Sequence, residues 1–164
     1  MSGPTERVVR DVSRVIVLDG DDAVLLLQGF DPADATAGRW WFTPGGGVEG
    51  SETRQAAALR ELEEETGLRI DSVTRVPGER RAVFEFDGRV WQQHEHYFAA
   101  RVRRFELDDS GWTEGERRSL LGARWWSAEA IATSSERFFP ENLIELVDVA
   151  RSTLDGSLSR DPSD

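Results

Sequence analysis

The chain has 164 residues, 38 % hydrophobic and 31 % charged, a balance that fits a soluble globular domain with a sizeable core and excludes a disordered or membrane-spanning chain. No apolar run reaches the length of a membrane span, and the N-terminal Met-Ser-Gly-Pro-Thr-Glu lacks the basic and apolar regions of a secretory signal, so a cytoplasmic location is expected. The lack of cysteine excludes disulfides, thiolate zinc sites and thiol nucleophiles, and a net charge of −11 argues against extended nucleic acid as a partner.

Residues 1–7 and 156–164 read as loose polar termini around a single domain, 8–155. Val8, Val9 and Val15-Ile-Val-Leu18, then Asp19-Gly-Asp-Asp22, then Ala23-Val-Leu-Leu-Leu27 predict a β-hairpin. Arg39-Trp-Trp-Phe-Thr43 predicts a short aromatic strand, stopped by Pro44 and the run Gly45 to Gly47, which reads as a loop. Ser51 predicts the cap of a helix reaching about Thr66, with Gly67 as its stop and Glu52 in its first turn, where an acid suits the helix dipole. Arg54 stands where a capping box would place Glu or Gln. Arg81 to Phe86, Asp87-Gly88 and Val90 to Val102 predict a second hairpin. A charged loop, Glu106 to Arg118, leads to a strand, Ala123 to Trp126. Ser127 opens a short helix, and Pro140 starts a final amphipathic helix containing Leu143, Ile144, Leu146, Val147 and Ala150. Strands interrupted by helices predict a mixed sheet covered on both faces.

On the helix ending near Thr66, Glu61, Glu64 and Glu65 share an arc about 100° wide, while Leu59, Leu62 and Thr66 occupy another sector. An isolated acidic run is usually a solvated face, and the Glu61/Glu65 repulsion costs only about 0.2–0.5 kcal/mol, so neither observation decides the matter. The wider constellation does. Gly46, Glu52, Arg60, Glu61, Leu62, Glu64, Glu65, Gly67 and Leu68 stand at the spacing Gly, five residues, Glu, seven residues, Arg-Glu-aliphatic-any-Glu-Glu-any-Gly-aliphatic. This resembles the Nudix box, and the order of strands and helices from about residue 8 to residue 152 is also similar to a Nudix domain.

The resemblance implies an α/β/α sandwich with a mixed, partly antiparallel sheet, and Mg²⁺-dependent hydrolysis of a nucleoside diphosphate linked to a further moiety X, with Mn²⁺ as the substitute ion. The chemistry agrees: divalent ions neutralise the diphosphate, orient it and acidify the attacking water, and hard ions prefer carboxylate oxygen. By resemblance, Glu64 and Glu65 are the main metal ligands, the Gly45 carbonyl is a further ligand, and Glu61 is a ligand or the water-activating base, oriented by Arg60. Gly46 and Gly47 would support the loop through close backbone approach. Glu52 is a weaker site residue. From the charged loop, Glu116 is expected in the site ahead of Glu114, and Glu95 is a reserve candidate. The substrate is expected to be a small nucleotide derivative rather than a polymer, because the nearest basic cluster, Arg101, Arg103 and Arg104, is short. X, the base and the oligomeric state, a homodimer included, stay open.

His94 and His96 alternate on a predicted strand and share one face, with Glu95 on the other. The helical His-Glu-x-x-His spacing and a third soft ligand are missing, so hydrogen-bonded structural histidines are expected rather than zinc. Trp41, Trp125 and Trp126 read as core, while Trp40, Trp112, Phe84 and Phe86 are candidates for base contact. Two rival functions share the fold: a module that senses nucleotides without turning them over, and an isomerase of prenyl diphosphates. The first has no use for Arg60, Glu61, Glu64 and Glu65 together, and the second lacks its usual cysteine. Within the hydrolases, an enzyme acting on RNA ends is the alternative.

Overall fold

Val15-Ile-Val-Leu18 has no polar face because both sides of its strand are covered. Val15 and Val17 point to one side, Ile16 and Leu18 to the other, and all four are 0 % exposed. The structure, a computed structural model, describes residues 7–156, so the expected loose termini, apart from Arg7 and Gly156, lie outside the described residues. Strand β1 (Arg7–Leu18) is followed by β2 (Val24–Phe30), β3 (Arg39–Phe42), β4 (Gly45–Gly47) and helix α1 (Arg54–Thr66). Then come β5 (Thr74–Phe86), β6 (Arg89–Arg101), α2 (Glu114–Ser119), β7 (Leu120–Trp126), α3 (Ala128–Thr133), β8 (Phe138–Phe139) and α4 (Leu143–Leu154).

The strands form one mixed sheet in the order β5-β6-β1-β2-β3-β8, with β4 added to β1 and β7 to β2. Helix α1 covers one face, where Ala58 and Leu62 pack with Val15, Val17, Leu25, Phe98 and Ala100. Helices α3 and α4 cover the other, where Ile131, Leu143, Leu146, Val147 and Ala150 meet Ile16, Leu18, Leu26, Val76 and Trp126. This is the expected α/β/α arrangement.

The first hairpin closes at Leu18 and Val24 and then opens. Along the rest of its length β1 runs parallel to β6, from Arg7 opposite Val90 to Leu18 opposite Arg101. In the wedge between β1 and β2 sits β4, antiparallel to β1, with Gly45, Gly46 and Gly47 opposite Arg14, Ser13 and Val12. The glycine run is therefore a strand and not a loop. The second hairpin turns at Asp87-Gly88 as expected, both residues having positive φ, and β5 starts earlier than predicted, at Thr74.

Helix α1 begins at Arg54, not after Ser51. Its cap is Thr53, whose hydroxyl accepts from the Ala56 N–H at 3.0 Å. The chain first makes a tight turn in which the Glu52 N–H donates to Glu49 O and the Glu49 N–H to Glu52 Oε1, so Glu52 lies before the helix rather than in its first turn. Gly67 ends the helix at φ 79°, where its N–H donates to Glu63 O. Part of the charged loop is helical too: Thr113 and Glu116 form a reciprocal capping box that starts α2. Ser127 caps α3 as expected, whereas α4 starts at Leu143, after Asn142.

Leu62 is 0 % exposed at the centre of the α1 side of the sheet. Leu62→Ala should lower unfolding free energy by about 2–5 kcal/mol in urea titrations, whereas Leu121→Ala, at a position 45 % exposed, should stay within about 0.5 kcal/mol of the parent. Equal effects would show that α1 is not seated as described.

Candidate active site

The acidic face of α1 rests on the backbone of β4. Glu65, 4 % exposed, accepts from the Gly45 N–H at 2.7 Å. Glu61 lies so close to Gly46 that a Cβ there would stand 2.4 Å from the Glu61 carboxyl carbon, and one on Gly45 would stand 2.1 Å from Ser13 O. Only a strand without side chains fits between β1 and these carboxylates.

Arg60 fixes the entry to this surface. Its Nε and Nη2 donate to the two Glu52 oxygens at 3.2 and 2.6 Å, its Nη2 also reaches Gly47 O at 2.9 Å, and its Nη1 donates to Glu61 at 2.9 Å and Glu64 at 3.4 Å. A planar fork meets a carboxylate, a carbonyl and two further carboxylates at once, which an ammonium group cannot do. The hydrogen bonds from Arg60 and the Glu49 N–H hold Glu52 below the usual carboxylate range. Glu52 thus anchors Arg60.

Glu116 arrives from α2. One carboxylate oxygen from each of Glu61, Glu65 and Glu116 can be chosen so that all lie within 4.8 Å of one another. Burial raises the pKa of Glu61, with Arg60 opposing and Glu64 and Glu116 adding to the rise. Burial raises Glu65 well above its ordinary value, aided by Glu61 and Glu116 and opposed by Arg14 and the Gly45 N–H. Three converging carboxylates with two raised pKa values are a hard-oxygen donor set that fits a Mg²⁺- or Mn²⁺-type ion retaining several waters.

Glu64 stands outside that triad, 38 % exposed, with its Oε2 on Arg60. The Gly45 carbonyl accepts from Arg14 Nη1 at 3.3 Å. Glu114 lies exposed in the first turn of α2, apart from the triad. Glu95 is also apart, buried and held by Arg14 at 3.2 Å, Arg80 at 2.7 Å and the Tyr97 hydroxyl at 3.0 Å. Burial would raise its pKa, but Arg14, Arg80 and Tyr97 together bring it below the ordinary value. Trp112 is tied to Glu65 O through its indole N–H at 2.8 Å. Trp40 and Phe86 meet edge to face at 6.3 Å, and Phe84 is 39 % exposed. Trp41 and Trp126 are buried core residues, while Trp125 is only partly buried, against Phe105.

Sequence reasoning missed two arginines on β1. Arg10 feels Glu61, Glu65 and Glu95, and burial, with repulsion from Arg14, lowers its pKa to about 10. Arg14 bridges Glu95 and the Thr43 and Gly45 carbonyls. A signal was present: Arg10 and Arg14 alternate with Val12 and Ile16 on one face of a strand, where unpaired charge is costly. The histidines share one face as expected, with ring centroids 4.3 Å apart. His94 pairs with Glu79, but neither ring nitrogen of buried His96 has a hydrogen-bond partner among the described residues, against the expectation of two hydrogen-bonded histidines. Burial lowers the His96 pKa, ahead of repulsion from Arg54 and His94.

A family model for the NUDIX domain matches residues 9–147. Over 109 residues the chain is 33 % identical to an RNA pyrophosphohydrolase of Erythrobacter litoralis, covering 60 % of this chain and 65 % of that one. A second relative, from Caenorhabditis elegans and bearing a nudix hydrolase name, is 30 % identical over 145 residues, which are 87 % of this chain and 35 % of that one. The chain thus spans less than two thirds of the length of either curated relative. Among solved structures, a MutT NUDIX hydrolase from Burkholderia pseudomallei superposes with a TM-score of 0.62 at 19 % identity, covering 85 % of this chain and 96 % of that one. An Ap4A hydrolase of C. elegans gives 0.56 at 18 % identity, covering 90 % and 98 %. These two likenesses concern the fold. With the family model spanning residues 9–147 and all constrained positions of the box filled, the chain belongs to the Nudix family.

Proposed function

We propose that this protein is a Mg²⁺-dependent, cytoplasmic pyrophosphohydrolase that cleaves the diphosphate linkage of a small nucleoside diphosphate derivative. The observation that carries the reading is the convergence of Glu61, Glu65 and Glu116 within 4.8 Å from two separate elements, a repulsive arrangement that a divalent ion resolves while leaving coordination sites for a diphosphate. When bound, the ion supplies charge neutralisation and a more acidic attacking water. Glu65 offers it a buried oxygen and Glu61 a partly buried one, and Glu64 adds a carboxylate at the exposed edge. Arg60 keeps Glu61 in one rotamer. Glu116, which also caps α2 through Thr113, takes the proton from the attacking water. Arg10 places a positive charge beside the same carboxylates, where it steadies the phosphate.

The second reading, hydrolysis at an RNA end, is favoured by the 33 % identity to an RNA pyrophosphohydrolase. The surface speaks for a small substrate. Arg101 is engaged by Asp22 and Asp155, and Arg104 by Asp19, so two of the three arginines in the nearest basic cluster are already neutralised. Purified protein with Mg²⁺, assayed against a panel of free nucleotide derivatives and a triphosphate-ended RNA, should release product fastest from a free nucleotide. Faster cleavage of the RNA end, with micromolar binding at low salt, would move the substrate to RNA.

Glu65→Gln should lose metal-supported turnover, and Glu116→Gln should lower kcat about 10²-fold or more with little change in KM, as removal of a general base does. Near-parental kcat in Glu116→Gln at saturating Mg²⁺ removes it from the proton-transfer role.

The raised pKa values also make a thermal prediction. A carboxyl whose folded pKa lies above its unfolded value supports the fold below the unfolded pKa and loses that support as pH rises through the folded one. The contribution of Glu61 and Glu65 to the stability of the metal-free protein should therefore fall as pH rises above the ordinary carboxylate range, measured as the difference between parent and Glu65→Gln, and Mg²⁺ should raise Tm more at alkaline than at acidic pH. Glu65→Gln should flatten the Mg²⁺ trend in differential scanning calorimetry. A Mg²⁺ shift equal at the two pH values would count against ionised Glu61 and Glu65 as ligands.

A further inference from the structure

A second cluster lies on the same sheet face as α1 but at the N-terminal end of that helix. The parallel pairing of β1 with β6 puts Asp11 opposite His94 and Ser13 opposite His96, and β5 brings Glu79 opposite His96. Asp11 Oδ1 is 3.6 Å from His94 Nδ1 and 3.7 Å from His96 Nε2. Ligand atoms from Asp11, His94 and His96 all lie within 4.8 Å of one another. In a tetrahedral shell with metal–ligand bonds of about 2.0–2.1 Å, neighbouring ligand atoms are about 3.4 Å apart. The two Asp11 distances are within a few tenths of an ångström of that edge.

Glu79 occupies the other side of both rings. Its Oε2 pairs with His94 Nε2, and its Oε1 is 3.9 Å from His96 Nδ1. The Glu79 carboxylate takes the N–H of His94 Nε2, which leaves the lone pair of His94 Nδ1 facing Asp11. A lone pair and a carboxylate oxygen facing one another repel unless a cation stands between them. His96 gives independent evidence: its side chain is 4 % exposed, and neither of its nitrogens has a hydrogen-bond partner among the described residues. Arg54, 3.6 Å from Asp11, approaches through Oδ2 and leaves Oδ1 to the cluster. Asp11 is 47 % exposed, so ions and solvent reach this edge.

We propose that Asp11, His94 and His96 bind a Zn²⁺-class transition-metal ion, with Glu79 orienting the His94 imidazole and a solvent molecule completing the tetrahedron. Imidazole nitrogen selects Zn²⁺ over Mg²⁺, whereas the all-carboxylate triad of Glu61, Glu65 and Glu116 offers only hard oxygen, which Mg²⁺ in excess can occupy. With Mg²⁺ in excess, Zn²⁺ should therefore fill the imidazole cluster first. Bound there, the ion fastens β1 to β6 beside the first turn of α1.

His94 and His96 are the only histidines in the chain, so imidazole NMR signals of the tag-free protein report this cluster alone. Zn²⁺ titrated into full-length protein in excess Mg²⁺ should move both sets of imidazole signals, saturating at one ion per chain with micromolar or tighter affinity. Glu79→Gln should weaken this binding by about 10–100-fold, Asp11→Asn by at least as much, and Glu65→Gln should leave it unchanged. Imidazole signals in the parent protein that do not respond to stoichiometric Zn²⁺, or parental affinity in Asp11→Asn, would overturn the proposal.

Discussion

A helix that carries several carboxylates along one face can be buried only against something that offers hydrogen-bond donors and takes up little room. Here that partner is the backbone of β4. Because Gly45 and Gly46 have no side chains, Glu61 and Glu65 reach the strand itself, and the Gly45 N–H donates to Glu65. The apolar side of the same helix is meanwhile committed to Val15, Val17 and Phe98. With one face fixed by packing and the other by this close approach, the helix has little freedom to rotate. The glycine run and the glutamate run are thus two halves of one steric fit.

That seating concentrates negative charge, and a set of arginines balances it. Arg60 holds Glu52, Glu61 and Glu64 from the outer side. Arg10 and Arg14 approach from β1, and Arg14 is itself fixed by buried Glu95. Glu95 with Tyr97 and Arg80 therefore forms the support beneath Arg14 rather than part of the carboxylate triad. Unpaired burial of either charge would be destabilising, whereas the paired arrangement keeps positive groups near the triad without placing one inside it. The surplus of carboxylate over arginine at the triad is what a divalent ion can neutralise.

Much of this was legible in the chain, because the box fixes residue types at fixed spacing and helical geometry turns spacing into direction. Glu61, Glu65 and the Gly67 stop could be placed that way, and so could Asp87-Gly88, whose turn chemistry is local. What could not be read depends on long-range pairing. Gly45 to Gly47 looks like a loop until β1 supplies a partner. Glu52 looks like a helix-dipole residue until Arg60 reaches it from two turns along the helix. Thr53 rather than Ser51 caps the helix because a preceding turn, Glu49 to Glu52, takes up Ser51, a choice that local propensity does not make. Asp11 had no visible link to the histidines, since only the parallel register of β1 and β6 brings them together.

That parallel register also sets the order in which the molecule can assemble. The partners of β1 in β6 lie about half the chain further on, and α1 is made between them. During synthesis the box helix emerges before the strand that completes the sheet under it, so its apolar face has only a partial platform at that stage. Contacts of such long sequence separation form slowly, because the loop must close before the pairing rewards it. A nascent chain that has not yet released β6 therefore lacks Phe98 and Ala100 beneath Leu62, and it exposes the apolar side of α1 to whatever binds unfinished chains. The carboxylate triad is complete only once Glu116, in the second half of the polypeptide, has been made.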